Sequence, residues 1–121
     1  MQFKTLKTYD HRSTKIEYVY DKYQDILTGK ILDVGSDECY LKQYLPSHIS
    51  YTGIGLGGNP DIQVNLETQT IPFDDNSFDV IFCSAAIAYL THVFSSLRQW
   101  YRFLNTGGIV AFSCFAETAH T

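Results

Sequence analysis

The apolar positions change period several times along the chain, and each change marks an element. Ile16, Val19, Tyr20, Tyr23, Ile26 and Leu27 recur at spacings of three and four, which places them on one face of a helix. Ser13 or Thr14 is suited to cap its start and Gly29 to stop it. Residues 30–35 (KILDVG) form a short apolar run ending in glycine, as a buried strand does. Residues 38–45 read as a short helix with Leu41, Tyr44 and Leu45 inward and Pro46 beyond its end. Residues 50–54 predict a second strand, after which Gly53, Gly55, Gly57, Gly58 and Pro60 rule out a helix. A short third strand is expected at 62–66 and a turn-rich loop at 70–77. The segment 78–84 (FDVIFCS) is apolar after Asp79, as in a central parallel strand covered on both faces. Val93, Phe94, Leu97, Trp100, Tyr101 and Leu104 predict a helix over 91–104, ended by Asn105-Thr106-Gly107-Gly108, and 109–115 reads as a last strand. Residues 1–12 are polar and mixed, so a loose arm is expected before one domain spanning 13–121.

Strands alternating with helices imply a parallel α/β sheet with right-handed crossovers. Such sheets bind ligands beyond the carboxyl ends of their strands, where the strand order reverses. The end of the first strand, residues 33–37, is therefore the first place to look. Gly35 would let a ligand approach the backbone closely. The start of the following helix would offer unpaired N–H groups to an anionic or carboxylate-bearing ligand. The same residues also satisfy a plain capped turn, with Ser36 or Asp37 as the cap and no ligand. Spacing alone does not choose between the two.

Composition narrows the classes. With 121 residues, 45% of them hydrophobic and 18% charged, the chain suits one globular domain. A formal charge of −4 disfavours a protein that grips phosphate backbones, so nucleic acid is not the expected partner. No apolar run approaches the roughly 18 residues that a membrane helix needs, and residues 1–12 hold no signal-peptide core. Cys39, Cys83 and Cys114 are widely spaced within hydrophobic segments and match no zinc pattern; buried, reduced thiols of a cytoplasmic protein are expected. His11, His48, His92 and His120 show no metal-ligand spacing. The dinucleotide, P-loop and hydrolase-elbow signatures are all absent.

Three segments together resemble a known family. ILDVGSDECYLKQYL is similar to the first motif of class I S-adenosylmethionine-dependent methyltransferases. IPFDDNSFDVIFCSAAIAYL is similar to the "LPFPDNSFDVV" stretch of their small-molecule, type-11 branch, and RFLNTGGIVAF to its "R-x-L-K-P-G-G" turn and fifth strand. The resemblance spans roughly residues 30–115. It implies a Rossmann-like, mainly parallel sheet of about five strands, S-adenosylmethionine as cofactor and a small-molecule acceptor. Position by position, it implies that Asp33 shapes the first loop and that Gly35 lies beside the cofactor's amino-acid moiety. Ser36 and Asp37 would hold its ammonium, Asn65 and Leu66 would read the adenine, and Ser84 would flank the methionine. Asp79 would be structural.

The sequence also departs from the family's pattern. D-x-G-x-G-x-G becomes Asp33-Val34-Gly35-Ser36-Asp37-Glu38-Cys39, although a group of tRNA adenine methyltransferases carries a similar "DIGSDHAYL". Where the family binds both ribose hydroxyls with an acidic residue, this chain has Gly55, followed by Leu56. Asn65 stands where short-loop relatives carry aspartate. The family's sixth and seventh strands form a hairpin, and the chain ends soon after the fifth, so that hairpin is expected to be lacking. The apolar edge at 109–115 would then invite a homodimer. Two readings follow: a methyltransferase or its cofactor-binding domain, with no general base to name beyond weak candidates at Tyr89 and His92; or an inactive scaffold that binds a partner protein.

Overall fold

The computed structural model describes residues 12–84 and 93–113. Helix α1 (Arg12–Tyr23) leads into strand β1 (Lys30–Val34), a 3-10 turn (Tyr40–Tyr44), β2 (Ser50–Gly55), β3 (Ile62–Gln63), β4 (Phe78–Ser84), α2 (Val93–Arg102) and β5 (Leu104–Ser113). The sheet order is β3-β2-β1-β4-β5, and every pairing is parallel. The α/β class and the five-strand parallel sheet expected from the sequence are both present. The chain steps outward from β1 to β3, then returns to the other side of β1 as β4. The reversal of strand order therefore lies between β1 and β4.

Alternation along the inner strands divides the core in two. Leu32 and Val34 of β1 and Ile81 and Cys83 of β4 face Trp100 and Phe103, with Ile54, Val64 and Ile71 in the same cluster. Ile31, Val80 and Phe82 face the opposite layer, where Ile16 and Val19 of α1, Leu27 and Leu41 pack. Burying both faces requires the near-continuous apolar runs that made these strands legible.

Several boundaries differ from expectation. α1 already includes Arg12, so Ser13 and Thr14 sit in its first turn. It stops at Tyr23, where two turn hydrogen bonds, Ile26 N to Tyr23 O (3.0 Å) and Leu27 N to Gln24 O (3.3 Å), take over. This redirection buries Leu27 and leaves Tyr23 and Ile26 exposed rather than on the inward face. The helix expected at 38–45 is only the five-residue 3-10 turn, because Cys39 ahead of it is left-handed (φ 56°) and makes no side-chain cap. β3 is two residues long rather than five.

β5 begins at Leu104, five residues before the expected start, and α2 ends at Arg102. Phe103 and Leu104 are buried, and Phe103 O accepts from Ser77 N (2.8 Å) and Phe78 N (2.9 Å). The Asn-Thr-Gly-Gly stretch is therefore an irregularity inside the β4–β5 ladder, not a helix terminus: Leu104 pairs with Phe78, and Ile109 with Val80. Gly107, at φ 80°, supplies the turn. Residues 1–11 of the arm expected at 1–12, Tyr89, Thr91, His92, Cys114 and the end of the last strand lie outside the described residues.

Asp79 ties the lower edge of the sheet together. Its carboxylate accepts from Lys30 N (2.8 Å) and from Asn105 Nδ2 (2.9 Å), and Gly29 (φ 78°) packs so closely that a Cβ there would overlap it. The Asn105 and Lys30 hydrogen bonds, with the Lys30 charge, hold the carboxyl below the usual carboxylate range. A depressed folded-state pKa stabilises the fold above the unfolded pKa, about 4, and loses that contribution as pH falls through the folded value. Thermal melts of wild type and Asp79→Asn are expected to converge as pH falls below about 4, with wild type more stable at neutral pH. Parallel curves at all pH values would contradict this.

Candidate functional site

The sheet register gathers the candidate residues along one edge. Val34 pairs with Ile54 on one side and with Cys83 on the other, so the next residues, Gly35, Gly55 and Ser84, stand in a row across β2, β1 and β4. Gln63 of β3 pairs with Gly55, which puts Asn65 and Leu66 just past the end of β3 on the same side. All of them lie at the carboxyl ends of parallel strands, beside the reversal of strand order, where such sheets bind ligands.

The loop after β1 keeps the backbone of a glycine-rich loop with few glycines. Gly35 (φ 73°), Asp37 (φ 52°) and Cys39 (φ 56°) are all left-handed. Aspartate tolerates this region, whereas for cysteine it is a strained choice. Gly35 N and Ser36 N both donate to Ile54 O, at 2.8 and 3.0 Å, and Cys39 N donates to Ser36 O at 2.8 Å. The loop is thereby sewn to β2 rather than projecting from a helix start. With only a five-residue 3-10 turn behind it, the helix-terminus argument made from the sequence does not apply.

Cys39 is accommodated by Gly53. A Cβ on Gly53 would stand 2.7 Å from Cys39 Sγ and 2.7 Å from Ser36 Oγ, closer than side-chain atoms pack. Cys39 is half-buried, not fully buried as its sequence context suggests. Its thiol lies beneath the loop, 3.6 Å from Ser36 Oγ and 3.5 Å from Asn59 O. Ser36 is buried with its hydroxyl beside that thiol. The Ser36 side chain thus supports the loop from below, whereas the sequence reading set it at the cofactor's ammonium.

Asp33 is 1% exposed, and its Oδ2 accepts a 2.6 Å hydrogen bond from the Tyr51 hydroxyl. Burial, then the charge of Asp33 and the hydrogen bond to it, push the Tyr51 phenol far above its ordinary range. Tyr51 therefore remains a donor at every working pH and helps keep the buried carboxylate satisfied. The sequence reading missed Tyr51. The available signal was the strand period: Tyr51 and Gly53 share the face of β2 that adjoins Asp33, which pairs with Gly53.

On the β3 side, Asn65 Oδ1 accepts from Glu67 N (3.0 Å) and Asn65 N donates to Gln69 Oε1 (2.7 Å), so this residue shapes its own loop. Leu66 is half-buried against the core. Leu56 is exposed, at 57%, just past Gly55. Ser84 is buried at the tip of β4. Among the described residues no group of His, Cys, Asp and Glu could hold a metal ion, and no helix is long and apolar enough to cross a membrane.

Residues 32–112 match the family described as Methyltransferase domain. The Ubiquinone/menaquinone biosynthesis C-methyltransferase UbiE of Escherichia fergusonii is 35% identical over 82 residues, 67% of this chain and 31% of that protein. That of Pseudoalteromonas translucida is 36% identical over 67 residues, 55% of this chain and 26% of that protein. The chain thus matches about a third or less of these relatives' length. Among solved structures, an S-adenosylmethionine dependent methyltransferase from Mesorhizobium loti superposes with a TM-score of 0.60 at 22% identity, over 72% of this chain and 47% of that one. The matched residues run from β1 through β4 to β5, across the strand-order reversal, and the chain belongs to the methyltransferase domain family.

Proposed function

We propose that the chain binds S-adenosylmethionine, the family's cofactor, in the crevice at the ends of β2, β1 and β4, and takes part in methyl transfer to a small-molecule acceptor. The observation that carries this is the row formed by Gly55, Gly35 and Ser84 at the reversal of strand order. The residues present fit the group. A Cβ built on Gly55 would already touch Gly35 Cα at 3.4 Å, so the lack of a side chain at Gly55 keeps the gap between the two strand ends free. Cys39 points under the loop rather than into the crevice.

When bound, the cofactor supplies an electrophilic sulfonium methyl, open to in-line attack by an acceptor nucleophile. This chain's part is to bind and align, the larger share of the work in such a displacement. Gly35 gives close backbone approach to the amino-acid moiety, and Asp37 supplies a carboxylate near the ammonium. Leu56 offers an apolar surface to the nucleoside, Asn65 and Leu66 border the adenine, and Ser84 flanks the methionine. Asp33, held by Tyr51, and Ser36, held by Cys39, fix the loop from below. The acidic balance of the sequence favours a small acceptor over nucleic acid.

Titration calorimetry with S-adenosylhomocysteine is expected to give saturable heat, and the ligand to raise the melting temperature by mass action. Absence of both at millimolar ligand would overturn the cofactor reading and favour a scaffold that binds without catalysing. We place the protein in the cytoplasm, and in a homodimer closed through β5, whose exposed Ile109 and Phe112 support self-association.

A further inference from the structure

The connection from β2 to β3 carries no helix, and it folds back onto the loop after β1. Three contacts converge on Asn59. Its backbone N–H donates to Asp37 O at 2.9 Å. Its Nδ2 donates to Glu38 Oε2 at 2.6 Å. Its carbonyl accepts from Cys39 Sγ at 3.5 Å. One residue thus engages three consecutive residues of the other loop.

Gly58 makes the approach possible. It is left-handed (φ 71°), and a Cβ there would stand 2.5 Å from the Asp37 carbonyl carbon. The far end of the connection is fixed as well: Gly53 N donates to Asp61 Oδ2 at 2.7 Å, and Asp61 N to Gly53 O at 2.8 Å. The segment 56–61 is therefore a strap anchored at Asp61 and latched at Asn59. The Nδ2–Oε2 bond is charge-assisted and is the strongest bond in the latch.

We propose that Asn59 is a positioning residue for cofactor binding. Through Glu38 and Asp37 it latches the β2–β3 strap to the loop after β1 and so sets the width of the crevice on its nucleoside side. The proposal rests on reading that crevice as the cofactor site. Asn59 acts through the loop and needs no contact with the cofactor itself. The family's ribose-binding carboxylate is absent at Gly55, so the crevice depends more on the mutual fit of its two loops.

Exchanging the partners tests this. Glu38→Gln keeps an acceptor oxygen for Asn59, and its S-adenosylhomocysteine affinity is expected to stay within about twofold of wild type. Asn59→Asp sets two carboxylates against each other and is expected to weaken binding by about tenfold. It should also speed hydrogen exchange of the residue-59 amide in the ligand-free protein. The double variant Glu38→Gln/Asn59→Asp restores a donor and an acceptor in reversed order, and should recover both readouts. Asn59→Ser, which loses reach without adding charge, should weaken binding less than Asn59→Asp.

Recovery in the double variant is the result that a general loss of fold would not produce. If Asn59→Asp binds as wild type does, or if the double variant binds no better than Asn59→Asp, the positioning role is overturned while the cofactor reading stands. If wild type binds no S-adenosylhomocysteine, both fall, and exchange at residue 59 still reports the latch itself.

Discussion

Gly55→Asp is expected to tighten S-adenosylhomocysteine binding by about ten- to a hundred-fold, the worth of a hydrogen-bonding carboxylate facing two hydroxyls. The position follows directly on Ile54, whose carbonyl already receives Gly35 N and Ser36 N, so a side chain there starts beside the loop. A built Cβ meets Gly35 Cα at 3.4 Å, an ordinary contact, but Gly55 lies at φ 159°, which L side chains rarely adopt, so the variant is also expected to melt below wild type. Calorimetry of wild type and variant side by side gives the comparison. The gain should vanish with a 2′,3′-dideoxyribose analogue, because both hydroxyls that the new carboxylate would grip are gone. Equal affinities of the two proteins for the natural ligand would mean that the sugar lies elsewhere.

The largest loss of stability is expected from Trp100→Ala. Trp100 is fully buried and packs in the cluster that holds Leu32, Val34, Ile54, Ile81 and Cys83. Truncation there costs about 3–5 kcal/mol, against a typical domain total of about 5–15 kcal/mol. A fall in melting temperature of about 15 °C or more should follow. Trp100→Phe keeps most of the apolar volume and removes an indole N–H that has no acceptor among the described residues, so it should cost about 1.5 kcal/mol or less. Denaturant melts of the three proteins give the order directly. Equal losses in the two variants would show that the shape of the whole indole, not the buried apolar volume that Phe retains, carries the stability.

The central strands were legible because burial on both faces leaves a run such as Phe78–Ser84 no polar option. The α/β class and the five-strand parallel sheet follow from that. What stayed hidden depends on long-range pairing. Nothing local distinguishes Asn-Thr-Gly-Gly as a helix stop from the same residues as a strand irregularity. Leu104 decides it by pairing with Phe78, which is 26 positions away. The 3-10 turn was likewise hidden, because Leu41, Tyr44 and Leu45 have helical spacing while the left-handed Cys39 governs the backbone before them. In the candidate site, Gly35 was singled out at the end of the first strand, and Gly55 and Ser84 through the family resemblance. Tyr51, Gly53 and Asn59 were not, because each acts through a partner on another strand or loop, far away in sequence.

Gly53 and Cys39 together show where room is conserved when a motif changes. The third glycine of the loop is gone, yet left-handed backbone angles remain at Cys39, and the volume the thiol needs is left open one strand away, at Gly53. Counting glycines in a linear pattern would score this loop as eroded, whereas the three-dimensional tally of small residues is balanced. Homologues with the same trade should show bulk at one of the two positions and smallness at the other. A search keyed to that reciprocal pair would recover members that a glycine-spaced signature discards.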